Sequence, residues 1–327
     1  MKKLTALITV LIMILTCFCA CGDTNETKTD KLSIVATTFP QYDWVKQILG
    51  EKAQDVELTL LLDDGVDLHS YQPTVTDLVT VSACDMFIYV GGESDSWVED
   101  ALKNATNENM TVINLIELLG EDVLEEETVE GMQDEEHSHE EGEEHSHEEE
   151  NDEHIWLSLK NAVRACEYIT EKLSEIDADN ASVYEANADK YIEKLNELHK
   201  EYENTVNEAK HKTIVVADRF PFRYLVDEYN LNYYAAFSGC STETQASFET
   251  VIFLSDKLEE NKLGAVIITE SSDGSVADTV ISNTTDKNQK VLSLNSMQSV
   301  TAKDVENNAT YLGIMQENLN VLKEALN

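Results

Sequence analysis

Two histidines in this chain stand where side chains of their type could hold a metal ion. They are His69 in DDGVDLHSYQPTVTD and His154 in NDEHIWLS, each beside a segment that reads as a strand end. Imidazole is the commonest borderline ligand and suits zinc well. One histidine in such a place is more often a hydrogen-bonded structural group. Two of them, with a histidine-rich stretch entering beside the second, favour a cation site. That stretch carries His137, His139, His145 and His147 as two HSH pairs, within the unit EEHSHEE that occurs twice. Flexible imidazoles can capture Zn2+ weakly and raise its local concentration. Incidental histidines on a solvated charge run are the plainer reading. His199 and His211 fall on or beside a long helical segment and are read as exposed. A zinc hydrolase would need three protein ligands, an open water position and a general base. No HExxH or Ser/His/Asp signature is present, although Glu243 and Glu270 offer carboxylates.

The residues around these groups narrow the class. The 327 residues include 23 Lys+Arg against 64 Asp+Glu, a net charge of −41, which leaves no basic stripe for a phosphate backbone and argues against nucleic acid and anionic lipid surfaces. Lys2 and Lys3 precede an uncharged run from Leu4 to Ala20, after which the chain turns polar at Cys21-Gly22-Asp23. That pattern predicts a signal peptide over 1–20, shorter than a membrane span requires. The cysteine after Ala20 resembles a bacterial lipobox, which makes Cys21 the lipidated mature N-terminus and 21–31 a polar tether. Beyond it, Cys84, Cys166 and Cys240 are odd in number and widely spaced, so they predict no disulfide framework and read as small buried side chains.

The elements that must position the two histidines alternate in type. Strands are predicted at 32–39, 56–62, 86–92 and 110–115, with helices at 42–49, 74–83 and 97–105 between them. Residues 121–153 then change composition, with 18 of 33 residues acidic, and predict a disordered insertion. A helix follows over 158–176, and a long one over 181–209. Its Tyr184, Ala188, Tyr191, Leu195, Leu198 and Tyr202 recur every three or four residues as one apolar stripe. At 1.5 Å per residue that helix spans roughly 45 Å, which suggests a strut between two α/β regions. The strand–helix alternation resumes with strands at 213–217, 231–237, 264–269 and 290–294, helices at 222–229 and 248–260, and a single closing helix over 302–326. The expected fold is α/β: two lobes, 32–178 and 211–327, each a mainly parallel sheet flanked by helices, bridged by a linking helix within 179–210. Open α/β sheets bind ligands at strand C-terminal ends, so a metal cleft is expected between the lobes.

The run GVDLHSYQPTVTDL resembles the D-x-H-x-Y-x-P-x-x-x-D motif of the zinc/manganese ABC-transporter solute-binding lipoproteins, the cluster A-I or cluster 9 receptors. VATTFPQYDWVKQILG, DMFIYVGGESDSWVEDAL, HIWLS, VIITESS and YLGIMQENLNVLKEAL resemble further stretches of that family in order, over residues 32–327. The resemblance implies that His69 and His154 are metal ligands. It places the third ligand, a His or Glu in the family, at Arg219, whose guanidinium cannot ligate a cation. Asp218 is the nearest substitute. Asn295 stands where manganese-type members use an Asp, and Glu243 is a rival ligand. Cys240 lies in the same loop as Glu243, with a thiolate ligand as the alternative to a structural role. Arg219 is expected to pair with Glu270 or with Glu243.

The histidine-rich acidic insertion resembles that of zinc rather than manganese receptors. The expectation is therefore a monomeric, lipid-anchored protein at the extracytoplasmic face of a bacterial membrane. It would bind Zn2+, with Mn2+ as the alternative, and deliver it to an ABC permease and its ATPase. A surface metal buffer or adhesin is the other non-enzymatic reading.

Overall fold

A computed structural model describes residues 31–133, 151–241 and 245–327. The first half runs β1 (Ser33–Ala36), α1 (Phe39–Leu49), β2 (Glu57–Leu60), α2 (Val75–Ala83), β3 (Met86–Tyr89), α3 (Val98–Lys103), β4 (Thr111–Asn114) and α4 (Leu115–Leu119). Two helices follow, α5 (Leu159–Ile176) and α6 (Ala181–Glu208). The second half runs β5 (Thr213–Phe220), α7 (Arg223–Tyr229), β6 (Asn232–Ser238), α8 (Phe248–Glu260), β7 (Ala265–Thr269), α9 (Ser275–Asn283), β8 (Lys290–Leu294), α10 (Ala302–Glu306) and α11 (Tyr311–Ala325). The strands form two four-stranded parallel sheets, in the orders β2-β1-β3-β4 and β6-β5-β7-β8. Parallel strands need crossover connections, and the helices supply them while covering the sheet faces. The central strands are accordingly apolar along most of their length, as in Ile34-Val35-Ala36 and Met86-Phe87-Ile88, all fully buried.

Helix α6 falls where its stripe predicts, but it is more than a strut. Tyr184, Ala188, Tyr191, Leu195, Leu198, Tyr202 and Val206 are all buried, and the helix packs on α5, α1, α7 and α11. One hydrophobic core joins residues of both halves through it, from Ile34 and Phe87 to Ile214 and Ile267, and a second cluster packs α8 and α9 on the other side of the second sheet. Leu32–Asn327 thus form one compact unit.

Three expectations need correction. Helix α1 begins at Phe39, three residues before the expected start, because Gln41 accepts the Thr38 N–H and Pro40 fits the first turn. The closing helix is two helices, broken where Asn308 takes φ 66° and Thr310 caps the Gly313 N–H. The insertion does not begin at 121. Residues 121–133 and 151–153 are ordered: Asp152 N–H donates to the Leu124 carbonyl, Gln133 N–H to the Ala236 carbonyl, and Glu127 pairs with Arg223 at 3.2 Å. Acidic composition signalled solvation, but Leu124, Val129 and Met132 reach the core and the acidic groups find donors. The four histidines of the HSH pairs, Glu243 and Cys21 lie outside the described residues.

Candidate metal site

The site sits at the C-terminal ends of the strands of both sheets. His69 is carried on a short 3-10 turn, Leu68–Ser70, in the β2–α2 connection. Buried Leu68 anchors the turn, and Asp67 Oδ1 accepts the His69 N–H at 3.1 Å. His154 opens the turn that leads into α5. Asp152 Oδ1 accepts the His154 N–H at 2.8 Å. The two histidines are therefore presented by the same device: an aspartate two residues earlier folds back on the histidine backbone, as in an Asx-turn. The D-x-H spacing is visible in the sequence at both places, DLH and DEH, and is the signal by which Asp67 and Asp152 could have been found.

The imidazole rings meet edge to face with centroids 5.2 Å apart, and their Nε2 atoms lie 3.2 Å apart. Each Nδ1 is engaged on the far side. His154 Nδ1 stands 3.0 Å from Asp152 Oδ1. His69 Nδ1 stands 2.8 Å from Ser94 Oγ and 3.7 Å from Glu153 Oε2. In the neutral tautomer with the proton on Nδ1, each ring would turn its Nε2 lone pair into the same space, and carboxylates behind histidines in this way orient them for a metal. Burial, then the neighbouring His154, pulls His69 down to about 4, so it is neutral and able to ligate at neutral pH. For His154 burial acts in the lowering direction, but the charge and hydrogen bond of Asp152, with Glu153, hold it above the usual imidazole range. Glu153 is itself buried, with Oε1 accepting the Ser94 N–H at 3.0 Å, and burial raises its carboxyl.

A third group completes the cluster. Cys240, in the loop after β6, places Sγ so that it and a ring nitrogen of each of His69 and His154 all lie within 4.8 Å of one another. Gly239 allows this approach, since a Cβ there would stand 3.2 Å from His154 Cε1 and 3.0 Å from the Phe220 carbonyl. Glu126 Oε1 accepts the Cys240 N–H at 3.0 Å and ties the loop to residues 121–133. Burial, then Glu126, Asp152 and Glu153, keep the thiol well above its usual range in the absence of a cation.

The other expected groups are placed elsewhere. A bulge in β5, between Val216 and Arg219, re-aims the residues around Asp218. Asp218 Oδ2 accepts both the backbone and hydroxyl of Thr269, at 3.1 and 2.8 Å, and Oδ1 accepts the Arg219 N–H. Asn295 Oδ1 accepts the Met297 N–H at 2.7 Å. Among the described residues Asp218 does not join the histidine cluster. Arg219 does not pair with Glu270. Its guanidinium donates to Asp67 Oδ2 at 2.9 Å, bridging the two halves beside His69. Glu270 accepts instead from Ser296 N, Ser296 Oγ and Ser299 Oγ, all within 3.1 Å. Sequence reasoning paired Arg219 within its own half because the partner's approach is set by how the halves pack.

A two-lobed α/β protein with converging histidines at the strand ends is the class defined by this fold and site. The family model for the zinc-uptake complex component A, ZnuA, matches residues 34–325. The chain is 30% identical over 324 residues to the high-affinity zinc uptake system protein ZnuA of Bacillus subtilis, covering 97% of each. It is 30% identical over 325 residues to the zinc-binding lipoprotein AdcA of Streptococcus pneumoniae; that match takes in 99% of this chain and 61% of AdcA. The crystal structure of the Zn(II)-bound ZnuA-like domain of that AdcA superposes with a TM-score of 0.69 at 27% identity, over 90% of this chain and 99% of that one. The metal-dependent lipoprotein YcdH of Bacillus subtilis gives 0.72 at 27% identity, over 90% and 99%. The chain belongs to the zinc-uptake complex component A family.

Proposed function

We propose that this protein is the extracytoplasmic receptor of a zinc uptake system, which takes Zn2+ between its two halves and delivers it to an ABC permease and its ATPase. A signal peptide over 1–20 would direct export and a lipid on Cys21 would hold the mature chain at the membrane; among the described residues no helix is long and apolar enough to cross one. The observation that carries the reading is the pair of Nε2 atoms 3.2 Å apart, each ring tied back through Nδ1. Tetrahedral Zn2+ with Zn–N of about 2.0–2.1 Å sets an N···N edge of about 3.3 Å, so an ion fits between these rings with little movement.

Mn2+ is the poorer fit. It favours oxygen donors, and the oxygens that would have served it, on Asp218 and Asn295, accept hydrogen bonds from the second half's own backbone. A hydrolase is also less well supported: of its two candidate bases Glu270 is held by Ser296 and Ser299, and Glu243 lies outside the described residues.

A competitive titration of the full chain with Zn2+ and Mn2+, bound metal being counted by mass spectrometry, tests the reading. One Zn2+ held tightly, not displaced by Mn2+, and lost in His69→Ala and in His154→Ala is the expected result. No tight Zn2+, or displacement by Mn2+, overturns it. Deleting the gene should also slow growth under zinc limitation; unimpaired growth would favour the buffer or adhesin reading.

A further inference from the structure

We propose that Cys240 is the third protein ligand of the metal site, making it a His2Cys centre that takes soft and borderline divalent cations. This rests on the zinc-receptor reading above and specifies how its site is built. The position at the end of β5 from which a third donor was expected carries Arg219, and Arg219 is engaged by Asp67. The site therefore lacks a donor from that strand, and the neighbouring strand end supplies one. Cys240 sits one connection further along the same sheet and brings Sγ into the histidine cluster.

The distances suit the chemistry. With Zn–S of about 2.3 Å and Zn–N of about 2.0–2.1 Å, an N···S edge of a tetrahedral ion is about 3.6 Å. The three donor atoms already lie within 4.8 Å of one another, so closing an N···S edge needs an approach of about 1.2 Å at most. The loop is built to hold that place. Gly239 lets its backbone approach His154, and Glu126 fixes the Cys240 N–H. The other two described cysteines differ: Cys84 and Cys166 are fully buried in the core, and Cys84 Sγ donates to the Val81 carbonyl.

On binding, the S–H bond is replaced by an S–metal bond and the proton leaves to water, with no change of oxidation state. Soft thiolate also explains selection, since it favours Zn2+ over Mn2+ more than a carboxylate would.

The test uses Co2+ as an optical stand-in. One equivalent of Co2+ added to the full chain should give a thiolate-to-cobalt charge-transfer band in the near ultraviolet. The band should be absent from Cys240→Ser and retained in a Cys84→Ala, Cys166→Ala double variant. Cys240→Ser should bind Zn2+ more weakly than wild type by over the roughly 10–100-fold typical of losing an outer-shell partner. Bound Zn2+ should protect one thiol of the wild-type chain from alkylation, and peptide mapping should locate it at Cys240. A wild-type chain that holds one tight Zn2+ but shows no thiolate band and leaves Cys240 open to alkylation overturns the proposal while leaving the receptor reading intact. Loss of tight Zn2+ binding from the wild type itself overturns the receptor reading instead. The wild-type spectrum and alkylation pattern decide the matter even where Cys240→Ser folds poorly.

Discussion

Each histidine of the site is held by an aspartate that accepts its backbone N–H. Asp152 is the clearer case, because one carboxylate oxygen, Oδ1, serves both the backbone N–H and the Nδ1 of His154. Removing it frees the ring to rotate and unsettles the tautomer that bares Nε2. Asp152→Ala should therefore lower Zn2+ affinity by about 10–100-fold, whereas Asp152→Asn, which keeps an acceptor oxygen, should lose distinctly less. Chelator competition measures both, and equal affinities for Asp152→Ala and wild type would sink the argument. Asp67 does comparable work on His69, with the added task of holding Arg219. The sequence made both histidines and both aspartates visible. It could not show that a guanidinium from the other half would take the second oxygen of Asp67, or that a cysteine would come within reach of both histidines.

At the scale of elements, the end of β3 shapes the floor of the site. The chain turns there through Gly91 and Gly92, and Asp95 Oδ2 accepts the N–H groups of Val90 and Gly91, both at 2.9 Å. Gly92 is required, since a Cβ would stand 2.3 Å from Glu153 Oε1 on a backbone with φ 84°. Burial pushes the Asp95 carboxyl up to about 7, and Oδ1 has no partner. The native state therefore holds a proton at Asp95 that the unfolded chain, with a value near 4, gives up earlier. This contribution to stability is fully present below about pH 4 and is lost as pH rises through about 7, a span of about 4 kcal/mol as an upper estimate. Asp95→Asn keeps an acceptor for both N–H groups and cannot ionise, so its melting temperature should fall less than wild type between pH 5 and pH 8. Parallel slopes for the two proteins would contradict this. Other elements were legible to different degrees. Helices α6 and α8 follow their sequence periods because apolar spacing alone dictates the buried face. The β5 bulge was not legible, since an extra residue is defined only against a partner strand.

For the whole molecule, the acidic histidine-rich segment is expected to be separable from the cleft. Gln133 and Asn151, which flank it, are both anchored, one to Ala236 and the other in a bridge to Glu125. Replacing 134–150 with a Gly/Ser linker should leave one tight Zn2+ and remove weak, multiple sites on His137, His139, His145 and His147. Calorimetric titration of the two proteins checks this; loss of the tight site would place it wrongly in the cleft. The core that runs through α6 into both halves, together with the Arg219–Asp67 pair, gives the halves a shared foundation. Ion release through local movement of the Cys240 loop then fits better than a wide hinge opening.

The sequence by itself determined the strand–helix alternation, the long buried helix and the two histidines, because each is written in local periodicity or in residue type beside a strand end. Only the packing of the halves shows that Arg219 meets Asp67, that Glu270 serves Ser296, and that Cys240 rather than Asp218 stands by the histidines. Those outcomes depend on how two sheets are set against each other. A donor's distance across the cleft comes from packing, and no spacing along the chain encodes it.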